Sequence, residues 1–424
     1  MNVKYHIGGG LLLAMMLSVS TLHAQEQKPS VRKQDAKSEA ASLYGKLAKK
    51  GDAEAQFMLG QCYGLGENGV ERDDEEAFRW HSLAAENGHA QAAWVLANDY
   101  FNGTGVMPDS VLAVEWLTKA ASGDVMEAQY ELATYLTRSE TPDYVQAAEW
   151  YSKAAQQGHG QSQCQLALLY AEGKGVEHND TIAVTWFRKA MDAKLPEAYY
   201  QMGLCHAYGK GVSRDLDEAA NCFYEAAEMG HCEAQINLAN CYLYGRGVAA
   251  NCDEAKKWAY EAARQGSADA QNFLGVCYVT EKCGKPDFSE AEKWFAMAAN
   301  QNHPKGMYNE ALCLLEGMGV KRDAAKAVEY FSKAAEMGNV DAQNKLAACY
   351  LLGEVLERNY DEAVKWAGMS AEQGNADGLY MLASCYLGGY GVRKSVLKAI
   401  DLFKQAAKKG HLGAKDALKE LGQK

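Results

Sequence analysis

Apolar side chains recur along this chain at the spacing of one helical face, within a unit that is repeated many times. In one copy the residues Ala234, Leu238 and Ala239 are followed by Tyr242, at offsets of 0, 4, 5 and 8. These offsets gather the four side chains on one side of an α-helix. The pattern therefore predicts that each unit opens with an amphipathic helix whose apolar face is buried.

The residue that opens this helix returns at spacings of 37, 36, 34 and then 36 residues. The opening residues are Ala55, Ala92, Ala128, Ser162, Ala198, Ala234, Ala270, Gly306, Ala342, Gly378 and Ala414. A unit this short cannot bury its apolar face alone, so neighbouring units must stack. The repeat predicts an all-α solenoid of stacked helix-turn-helix units, whose function depends on extended surfaces.

A second helix follows in each unit and carries the most regular alanine position of the chain. These alanines are Ala77, Ala113, Ala147, Ala183, Ala219, Ala255, Ala291, Ala327, Ala363 and Ala399. Three residues after each of them stands a bulkier residue: Trp80, Trp116, Trp150, Trp186, Cys222, Trp258, Trp294, Tyr330, Trp366 and Leu402. We expect the alanine to allow close backbone approach while the indole fills the space between helices.

Most units join their two helices through the sequence Gly-x-Gly-Val, as at Gly245, Gly247 and Val248. The glycines adopt backbone angles that other residues resist, and the valine packs back as an apolar plug. The third unit, over residues 138–144, and the seventh, around Cys283, lack this loop. We expect the stack to be less regular at these two joints.

Residues 198–230 and 234–266 match, almost in full, the pattern A-x-x-x-L-G-x-x-Y-x-x-G-x-G-V, then a charged turn, A-x-x-W and A-A-x-x-G. In these residues the chain resembles the Sel1-like repeat, a relative of the tetratricopeptide repeat. The resemblance implies a right-handed superhelix and an adaptor or scaffold, often secreted or periplasmic in bacteria, that binds proteins on its concave inner surface. We expect an N-terminal capping helix over residues 39–52, ten repeats over residues 53–411 and a C-terminal capping helix over residues 412–424.

The first 24 residues have the features of an export signal. Lys4 gives a positive start, residues 11–17 form a short apolar core, and small residues precede Gln25. We predict a cleavable signal peptide over residues 1–24, a flexible leader over residues 25–38, and a secreted or periplasmic mature protein. An uncleaved N-terminal anchor is the alternative. No later stretch is long and apolar enough to span a bilayer.

Twelve cysteines in an exported chain raise the question of disulfides. Seven share one position on the buried side of the first helix: Cys62, Cys205, Cys241, Cys277, Cys313, Cys349 and Cys385. Stacked helices lie about 8–10 Å apart, whereas a disulfide needs Cα atoms within about 7 Å, so these are expected to be core thiols. Two bridges from a helix to its own loop stay open, namely Cys241 with Cys252 and Cys277 with Cys283.

Several patterns associated with catalysis have a simpler explanation in the repeat. Gly64, Gly66 and Gly69 spell G-x-G-x-x-G but follow a helix rather than a strand. Ser395 and Lys398 form S-x-x-K without the companion S-D-N or K-T-G. No nucleophile, base and oxyanion set occurs. We expect no catalytic residue, no cofactor and no metal site.

The turn between units carries a glycine followed by a helix-capping type of residue. Most units have a glycine there because a left-handed residue is wanted, and Lys194 is the exception to this pattern. The capping residues are Asp52, His89, His159, His231, Ser267, His303, Asn339, Asn375 and His411. Exchange of histidine for asparagine, serine and aspartate indicates helix capping rather than metal ligation.

A position two residues after the opening residue of the first helix faces away from the predicted core, yet it is often aromatic. With Phe101, seven residues further along one such helix, these aromatics are the predicted partner-binding set: Phe57, Trp94, Phe101, Tyr130, Tyr200, Tyr308 and Tyr380. Leu243, Leu315, Leu351 and Leu387 are expected to extend them into an apolar strip. The alternative is that the aromatics pack against neighbouring first helices.

The net charge of −12 and the absence of a basic stripe speak against a nucleic-acid partner. The sequence therefore favours a monomeric, non-enzymatic scaffold that binds a protein or peptide on its concave surface. Two alternatives remain: an envelope hydrolase or β-lactam-binding, β-lactamase-like protein of the Sel1 type, and a cell-wall glycan binder that uses the aromatics as sugar platforms.

Overall fold

The structure, a computed structural model, describes residues 41–422. The predicted signal peptide (1–24) and leader (25–38) lie outside the described residues. Between residues 41 and 422 all regular secondary structure is helical, and the described chain begins in a helix, α1, over residues 41–48.

Each repeat contributes two helices. The first helices are α2 (Ala53–Leu65), α4 (Ala90–Asn102), α6 (Met126–Arg138), α8 (Gly160–Glu172), α10 (Pro196–Tyr208), α12 (Cys232–Tyr244), α14 (Ala268–Val279), α16 (Pro304–Glu316), α18 (Val340–Leu352) and α20 (Ala376–Gly388). The second helices are α3 (Asp74–Glu86), α5 (Ser110–Ser122), α7 (Tyr144–Gln156), α9 (Asp180–Asp192), α11 (Leu216–Glu228), α13 (Cys252–Arg264), α15 (Phe288–Asn300), α17 (Ala324–Glu336), α19 (Tyr360–Glu372) and α21 (Val396–Lys408). A last helix, α22 (Leu412–Glu420), follows, and a 3₁₀ turn, Glu281–Cys283, stands in the seventh repeat.

The chain divides into two compact units, one ending at Tyr135 and the other beginning at Leu136. Within each unit a first helix packs against the second helix of its own repeat, and that second helix packs against the next first helix. The boundary falls inside α6, in the third repeat, which lacks the Gly-x-Gly-Val loop. The all-α repeat architecture predicted from the sequence is confirmed.

In the second unit, first helices of successive repeats also contact each other directly. Such contacts join α12 with α14, α14 with α16, and α18 with α20. Second helices of the described repeats make no contacts of comparable extent. The first helices of these repeats therefore lie closer together than the second helices do, and they form the inner side of this stack.

The bulky core position of the second helix lies one residue later than the sequence pattern predicted. Trp258 and Trp366 are buried, whereas the other five tryptophans of that column are half-buried. The next residue along is the one enclosed between helices: Leu117, Tyr151, Phe187, Phe223, Phe295, Phe331 and Phe403. A residue four positions after the conserved alanine returns to its helical face, whereas one three positions after lies at the edge of that face.

The half-buried tryptophans still serve a packing role at the edge of the core. The ammonium group of Lys119 lies 3.6 Å from the ring centre of Trp116, and that of Lys153 lies 3.9 Å from Trp150. A small residue in the first helix makes room for the buried ring, because a methyl group at Gly203 would overlap Phe223. Alanine and glycine thus set how closely the helices approach.

The predicted capping residues are confirmed as N-caps of first helices. His89, His231 and His303 each accept a hydrogen bond through ring Nδ1 from a backbone N–H of the first turn. Asp52, Ser267 and Asn339 do the same through a side-chain oxygen. Each cap satisfies a donor that the helix itself leaves unpaired.

Lys194, the exception to the glycine pattern, is also left-handed, with φ 53°. Asp124 and Asn302 are left-handed in the corresponding turns, with φ 61° and 58°. The turn geometry is therefore kept where glycine is absent, at the cost of about 1–2 kcal/mol of backbone strain per residue.

The two glycines of the Gly-x-Gly-Val loop have different roles. The first ends the first helix in the left-handed conformation, as Gly245 does with φ 65°. The second loop glycine packs against the residue that begins the second helix of the preceding repeat. A methyl group on this glycine would overlap a backbone carbonyl. These contacts are Gly105 with Asp74, Gly175 with Tyr144, Gly211 with Asp180, Gly247 with Leu216, Gly319 with Phe288 and Gly391 with Tyr360.

A disulfide joins Cys252, the first residue of α13, to Cys283 in the 3₁₀ turn of the next repeat. The two bridges considered from the sequence, Cys241 with Cys252 and Cys277 with Cys283, are wrong in their pairing. Cys241 and Cys277 are free, buried thiols. The reason is geometric, since each loop lies against the second helix of the repeat before it and the first-helix cysteines point into the core.

Glu310 is a carboxyl group in a position that is otherwise apolar. It stands four residues after Gly306, where other repeats have leucine or methionine, and only 2% of its surface is exposed. Its Oε2 atom has no hydrogen-bond partner. Burial, with a smaller contribution from Glu292 on α15, raises its pKa to about 7, while Lys326 on α17 opposes the shift.

We predict that Gly247→Ala destabilises the chain more than Gly230→Ala. Both residues have positive φ, 72° and 87°, so both variants carry the backbone strain of about 1–2 kcal/mol. Only the methyl group at position 247 meets Leu216, whereas that at position 230 meets open space. We expect overpacking to cost a further 1–3 kcal/mol, roughly, measured by urea unfolding. Equal losses in the two variants would contradict the close-contact role of the loop glycine.

We predict that Glu310→Leu stabilises the chain most at alkaline pH. Between the ordinary pKa of 4.5 and the raised value of about 7, the unfolded chain ionises this group while the folded chain keeps its proton. The contribution of Glu310 to stability therefore falls as pH rises through that window and is constant above it. Melting curves from pH 4.5 to pH 8 would show the gap between variant and wild type widening.

Glu316→Gln is the matched control, since Glu316 is exposed on the same helix. A gap for Glu310→Leu that stayed constant across this pH range would show that Glu310 is ionised in the folded chain throughout.

Candidate partner-binding surface

The seven residues predicted from the sequence all lie on first helices. Six of them are half-buried, and Phe101 is 37% exposed. The set is Phe57 on α2, Trp94 and Phe101 on α4, Tyr130 on α6, Tyr200 on α10, Tyr308 on α16 and Tyr380 on α20. Their surroundings differ, so they do not form one kind of surface.

Three of these aromatics stack on the histidine that caps the next first helix or, for Tyr380, the last helix α22. Ring centres are 4.5 Å apart for Phe57 and His89, 4.6 Å for Tyr200 and His231, and 4.3 Å for Tyr380 and His411. Tyr308 lies against Phe331 of its own repeat, at 5.7 Å. The alternative considered from the sequence was packing against neighbouring first helices. The histidine stacks place one face of Phe57, Tyr200 and Tyr380 against the cap of the following helix, whereas Tyr308 packs on the second helix of its own repeat.

The capping histidine links three parts of the joint at once. In the Tyr200 joint, His231 accepts from the backbone N–H of Ala234 through Nδ1 and donates from Nε2 to Glu197, at 2.9 Å. The Nδ1 acceptor role assigns the tautomer with a proton on Nε2. The hydrogen bond from His231 is the main reason that the pKa of Glu197 is lowered, against the opposing effect of burial.

Trp94 is held by a different contact. Its indole N–H donates to Oε2 of Glu131 on α6, at 2.9 Å. Burial raises the pKa of the Glu131 carboxyl, and the hydrogen bond from Trp94 opposes that rise. The indole N–H is therefore paired with a buried carboxyl group, and part of the ring remains exposed.

Phe101 has an exposed aromatic neighbour that the sequence analysis missed. Tyr135 is 42% exposed, and its ring centre is 6.4 Å from that of Phe101. In the second unit, Tyr208 is 71% exposed and Tyr244 is 46% exposed, each the last residue of a first helix. The detectable signal was the shared position of Tyr208 and Tyr244 in successive repeats.

The apolar strip expected to extend these aromatics is interrupted. Leu243 and Leu315 are buried, with 4% and 3% of their surface exposed. They face inward because their repeats turn this position toward the adjacent loop, as the packing of Leu243 beside Cys277 and Cys283 shows. On the first helices, exposed apolar residues such as Leu65, Phe101 and Tyr208 lie near the carboxyl ends.

A glutamine ladder between repeats was also missed. Each of these glutamines follows the opening residue of a first helix and is buried: Gln56, Gln129, Gln163, Gln235, Gln271 and Gln343. Its side-chain amide donates to a carbonyl at the end of the preceding helix, as Gln235 does to Ala227 at 3.1 Å. A second glutamine completes the pair in some joints, for example Gln265 to Gln235 at 2.9 Å. Recurrence of glutamine at one position was the available signal.

The patterns associated with catalysis have structural roles. Ser395 is the N-cap of α21 and accepts from the backbone N–H of Lys398, whose ammonium lies 5.1 Å from the ring centre of Tyr386. Gly66 ends α2 in the left-handed conformation. Burial raises the pKa of the Cys222 and Cys277 thiols to about 12, which disfavours the nucleophilic thiolate.

Among residues 41–422, no group of three or more His, Cys, Asp or Glu side chains is arranged to hold a metal ion. In the same part of the chain, no helix has the length and apolar character needed to cross a bilayer.

These features define an all-α repeat protein built from stacked helix pairs. The family model described as Sel1 repeat matches ten consecutive segments: residues 53–89, 90–125, 127–159, 160–194, 196–231, 232–267, 268–303, 304–339, 340–375 and 376–411. The chain belongs to the Sel1 repeat family.

Solved structures agree with this assignment. A protective antigen of uropathogenic Escherichia coli strains, with an SLR fold, is 30% identical with a TM-score of 0.72, covering 90% of this chain and 82% of that one. A Sel1 repeat protein from Oxalobacter formigenes is 27% identical with a TM-score of 0.54, covering 57% of this chain and 96% of that one.

Among curated proteins, chitin synthase regulatory factor 3 of Schizosaccharomyces pombe is 41% identical over 80 residues, which are 19% of this chain and 9% of that protein. Chitin synthase regulator SKT5 of Saccharomyces cerevisiae is 35% identical over 97 residues, 23% of this chain and 14% of that protein. The chain spans less than a fifth of the length of these relatives.

We predict that His231→Ala destabilises the chain more than His231→Asn. Asparagine keeps the helix cap, as Asn339 does in another repeat, but loses the stack on Tyr200. Alanine loses both, and cap removal alone costs about 1 kcal/mol. Chemical unfolding of the two variants measures the difference. Identical stabilities would show that the ring, and not the cap, carries the contribution of His231.

Proposed function

We propose that this chain is a non-enzymatic scaffold that binds a protein or peptide partner along the surface of its first helices. The observation that carries the proposal is the presence of exposed aromatic side chains near the carboxyl ends of those helices, among them Phe101, Tyr208 and Tyr244. Tyr208 is the most exposed of them, at 71%. Exposed aromatic side chains are the residues that most often dominate protein interfaces.

The seven residues predicted from the sequence, four in the first unit and three in the second, take two roles. Phe57, Tyr200, Tyr308 and Tyr380 each have one face in a repeat joint or against the second helix, so their exposed edges are held rigidly. Trp94, Tyr130 and Phe101 are the remaining three. Trp94 donates its indole N–H to Glu131, and Phe101 lies beside the exposed Tyr135. Rigid aromatic groups lose little conformational entropy on binding.

The chemistry of this surface favours a partner that presents apolar and neutral polar groups. Tyrosine offers an apolar ring and a hydroxyl that can donate and accept. The chain as a whole carries a net charge of −12, which disfavours phosphate-rich ligands. A protein or peptide meets these requirements better than a nucleic acid does.

The curated relatives support a regulatory rather than a catalytic role, since the similar segments belong to proteins named as regulators of chitin synthase. The similarity covers two to three repeats, so it supports scaffolding by the repeats and not a role in chitin synthesis. The alternative is a β-lactam-binding, β-lactamase-like protein. Nitrocefin turnover by the wild-type chain that Ser395→Ala abolishes would overturn the proposal that this chain is non-enzymatic.

The binding proposal is tested by removing exposed aromatics from first helices only. We predict that the double variants Phe101→Ala/Tyr135→Ala and Tyr208→Ala/Tyr244→Ala lose partners that the tagged wild-type chain captures from its native envelope fraction. The reason is that a few central aromatic groups carry most of the affinity of an interface, typically at least 2 kcal/mol each, or about thirtyfold in Kd.

The matched control is Val111→Ala/Leu397→Ala, which removes apolar groups that are 68% and 82% exposed on second helices. Unchanged circular dichroism would verify folding in all variants. Capture retained by both aromatic double variants, or lost equally in the control, would contradict binding on the first-helix surface.

We also propose that the mature chain acts outside the cytoplasm, in a secreted or periplasmic setting, and as a monomer. The support is the export-signal composition of residues 1–24. We expect the intact mass of the protein recovered from the exported fraction to match a chain that begins at Gln25. Recovery of full-length chain from the cytoplasm alone would refute the proposal.

A further inference from the structure

The disulfide between Cys252 and Cys283 stands at a recurring position of the repeat. Cys283 lies 36 residues after Gly247 and 36 before Gly319, so it occupies the position of the second loop glycine. Cys252 lies 36 residues after Leu216 and 36 before Phe288, which are the residues that those two glycines touch. The disulfide therefore joins the same two positions that glycine and backbone carbonyl join elsewhere.

The reason for a different joint is steric. At the glycine joints, any Cβ would overlap the carbonyl of the preceding second helix, so only glycine allows that approach. Repeat 7 has a side chain at this position and also lacks the first loop glycine, since Thr280 and Glu281 follow α14. The two cysteines are nevertheless close, with a Cα–Cα distance of 5.3 Å, which is within the range that a disulfide spans.

We propose that the Cys252–Cys283 disulfide substitutes for the glycine joint between repeats 6 and 7, and that docking of the repeat 7 loop on repeat 6 is therefore redox-dependent. The bridge closes a sequence separation of 31 residues. Disulfides that close loops of this size typically stabilise by about 2–4 kcal/mol. Every glycine joint in the described repeats, by contrast, is indifferent to redox state.

The surroundings of the bridge fit this role. Cys252 and Cys283 are partly exposed, so a reductant can reach them, and they border a buried cluster of Leu243, Ala255 and Cys277. Burial raises the pKa of Cys277 to about 12, which keeps this neighbouring thiol protonated and disfavours exchange with the bridge. The pairing is thus protected from internal reshuffling.

Opening the joint is an ordinary thiol–disulfide exchange with a dithiol reductant. One reductant thiolate attacks a sulfur of the bridge, which forms a mixed disulfide and releases the other cysteine as a thiolate that takes up a proton. The second reductant thiol then displaces the remaining cysteine. Two electrons and two protons pass to the protein, which gains two thiols, and the reductant becomes a cyclic disulfide.

The test uses the full chain and trypsin cleavage after residue 282, followed by mass spectrometry under native conditions. We expect the oxidised wild type to be cleaved at least about tenfold more slowly than the reduced wild type or Cys252→Ser/Cys283→Ser, since about 2 kcal/mol of local stability is lost. Circular dichroism verifies that all forms remain helical. Equal cleavage of oxidised and reduced wild type would overturn the proposal.

A loop exchange separates substitution for glycine from a general effect of cross-linking. This variant gives repeat 7 the loop sequence of the Leu216–Gly247 joint and keeps a tryptic site at residue 282. Its substitutions are Cys252→Leu, Glu281→Gly, Lys282→Arg, Cys283→Gly and Gly284→Val. We expect this variant to resist trypsin as the oxidised wild type does, with no response to dithiothreitol. Cleavage as fast as that of the serine variant would overturn the equivalence of the two joints.

A thiol count provides the remaining readout. Ten of the twelve cysteines are free in the structure. Denatured, unreduced wild type is therefore expected to react with ten equivalents of a thiol reagent, and reduced chain with twelve. Twelve in the unreduced protein would show that the bridge is absent and would overturn the proposal.

Discussion

The close approach of each loop to the preceding second helix is the constraint on which the rest of the structure depends. Six joints meet it with a glycine whose missing Cβ leaves room for a carbonyl, as at Gly247 and Leu216. A repeat of this size buries its apolar face only against its neighbours, so the distance between repeats sets how well the core is filled. The alanine columns and the buried Phe223 and Phe331 work at that fixed distance.

Polar groups hold neighbouring repeats together at the opposite end of the first helices, where those helices begin. The glutamine ladder satisfies helix-end carbonyls that would otherwise be buried without partners, and capping histidines such as His231 tie the next helix to a carboxylate and an aromatic ring. Many of the polar and aromatic residues that the sequence marks as candidates for a site therefore make contacts between repeats instead. Among the aromatics that remain exposed, those near the carboxyl ends of first helices form the surface that we propose for a partner.

The fold was accessible from the sequence because its cause is local and repeated. The spacing of Ala234 and Leu238, the glycine after each helix and the exchange of histidine for asparagine in one turn each imply a helix or a cap without reference to distant residues. The candidate site was less accessible. Tyr200 and Trp94 face away from their own helix core, but sequence spacing does not show what the next repeat brings opposite them, so His231 and Glu131 were not foreseen.

The sequence by itself determined the helices, their caps, their pairing and their order, because period and turn chemistry act within a few tens of residues. Only the tertiary structure decided which surfaces meet between repeats: that Cys252 reaches Cys283, that Leu243 is buried while Tyr244 is exposed, and that Glu310 lies in the core. The physical reason is that neighbouring repeats meet at a translation and rotation set by the packing of whole side chains, and a shift of one residue around a helix exchanges a buried position for an exposed one.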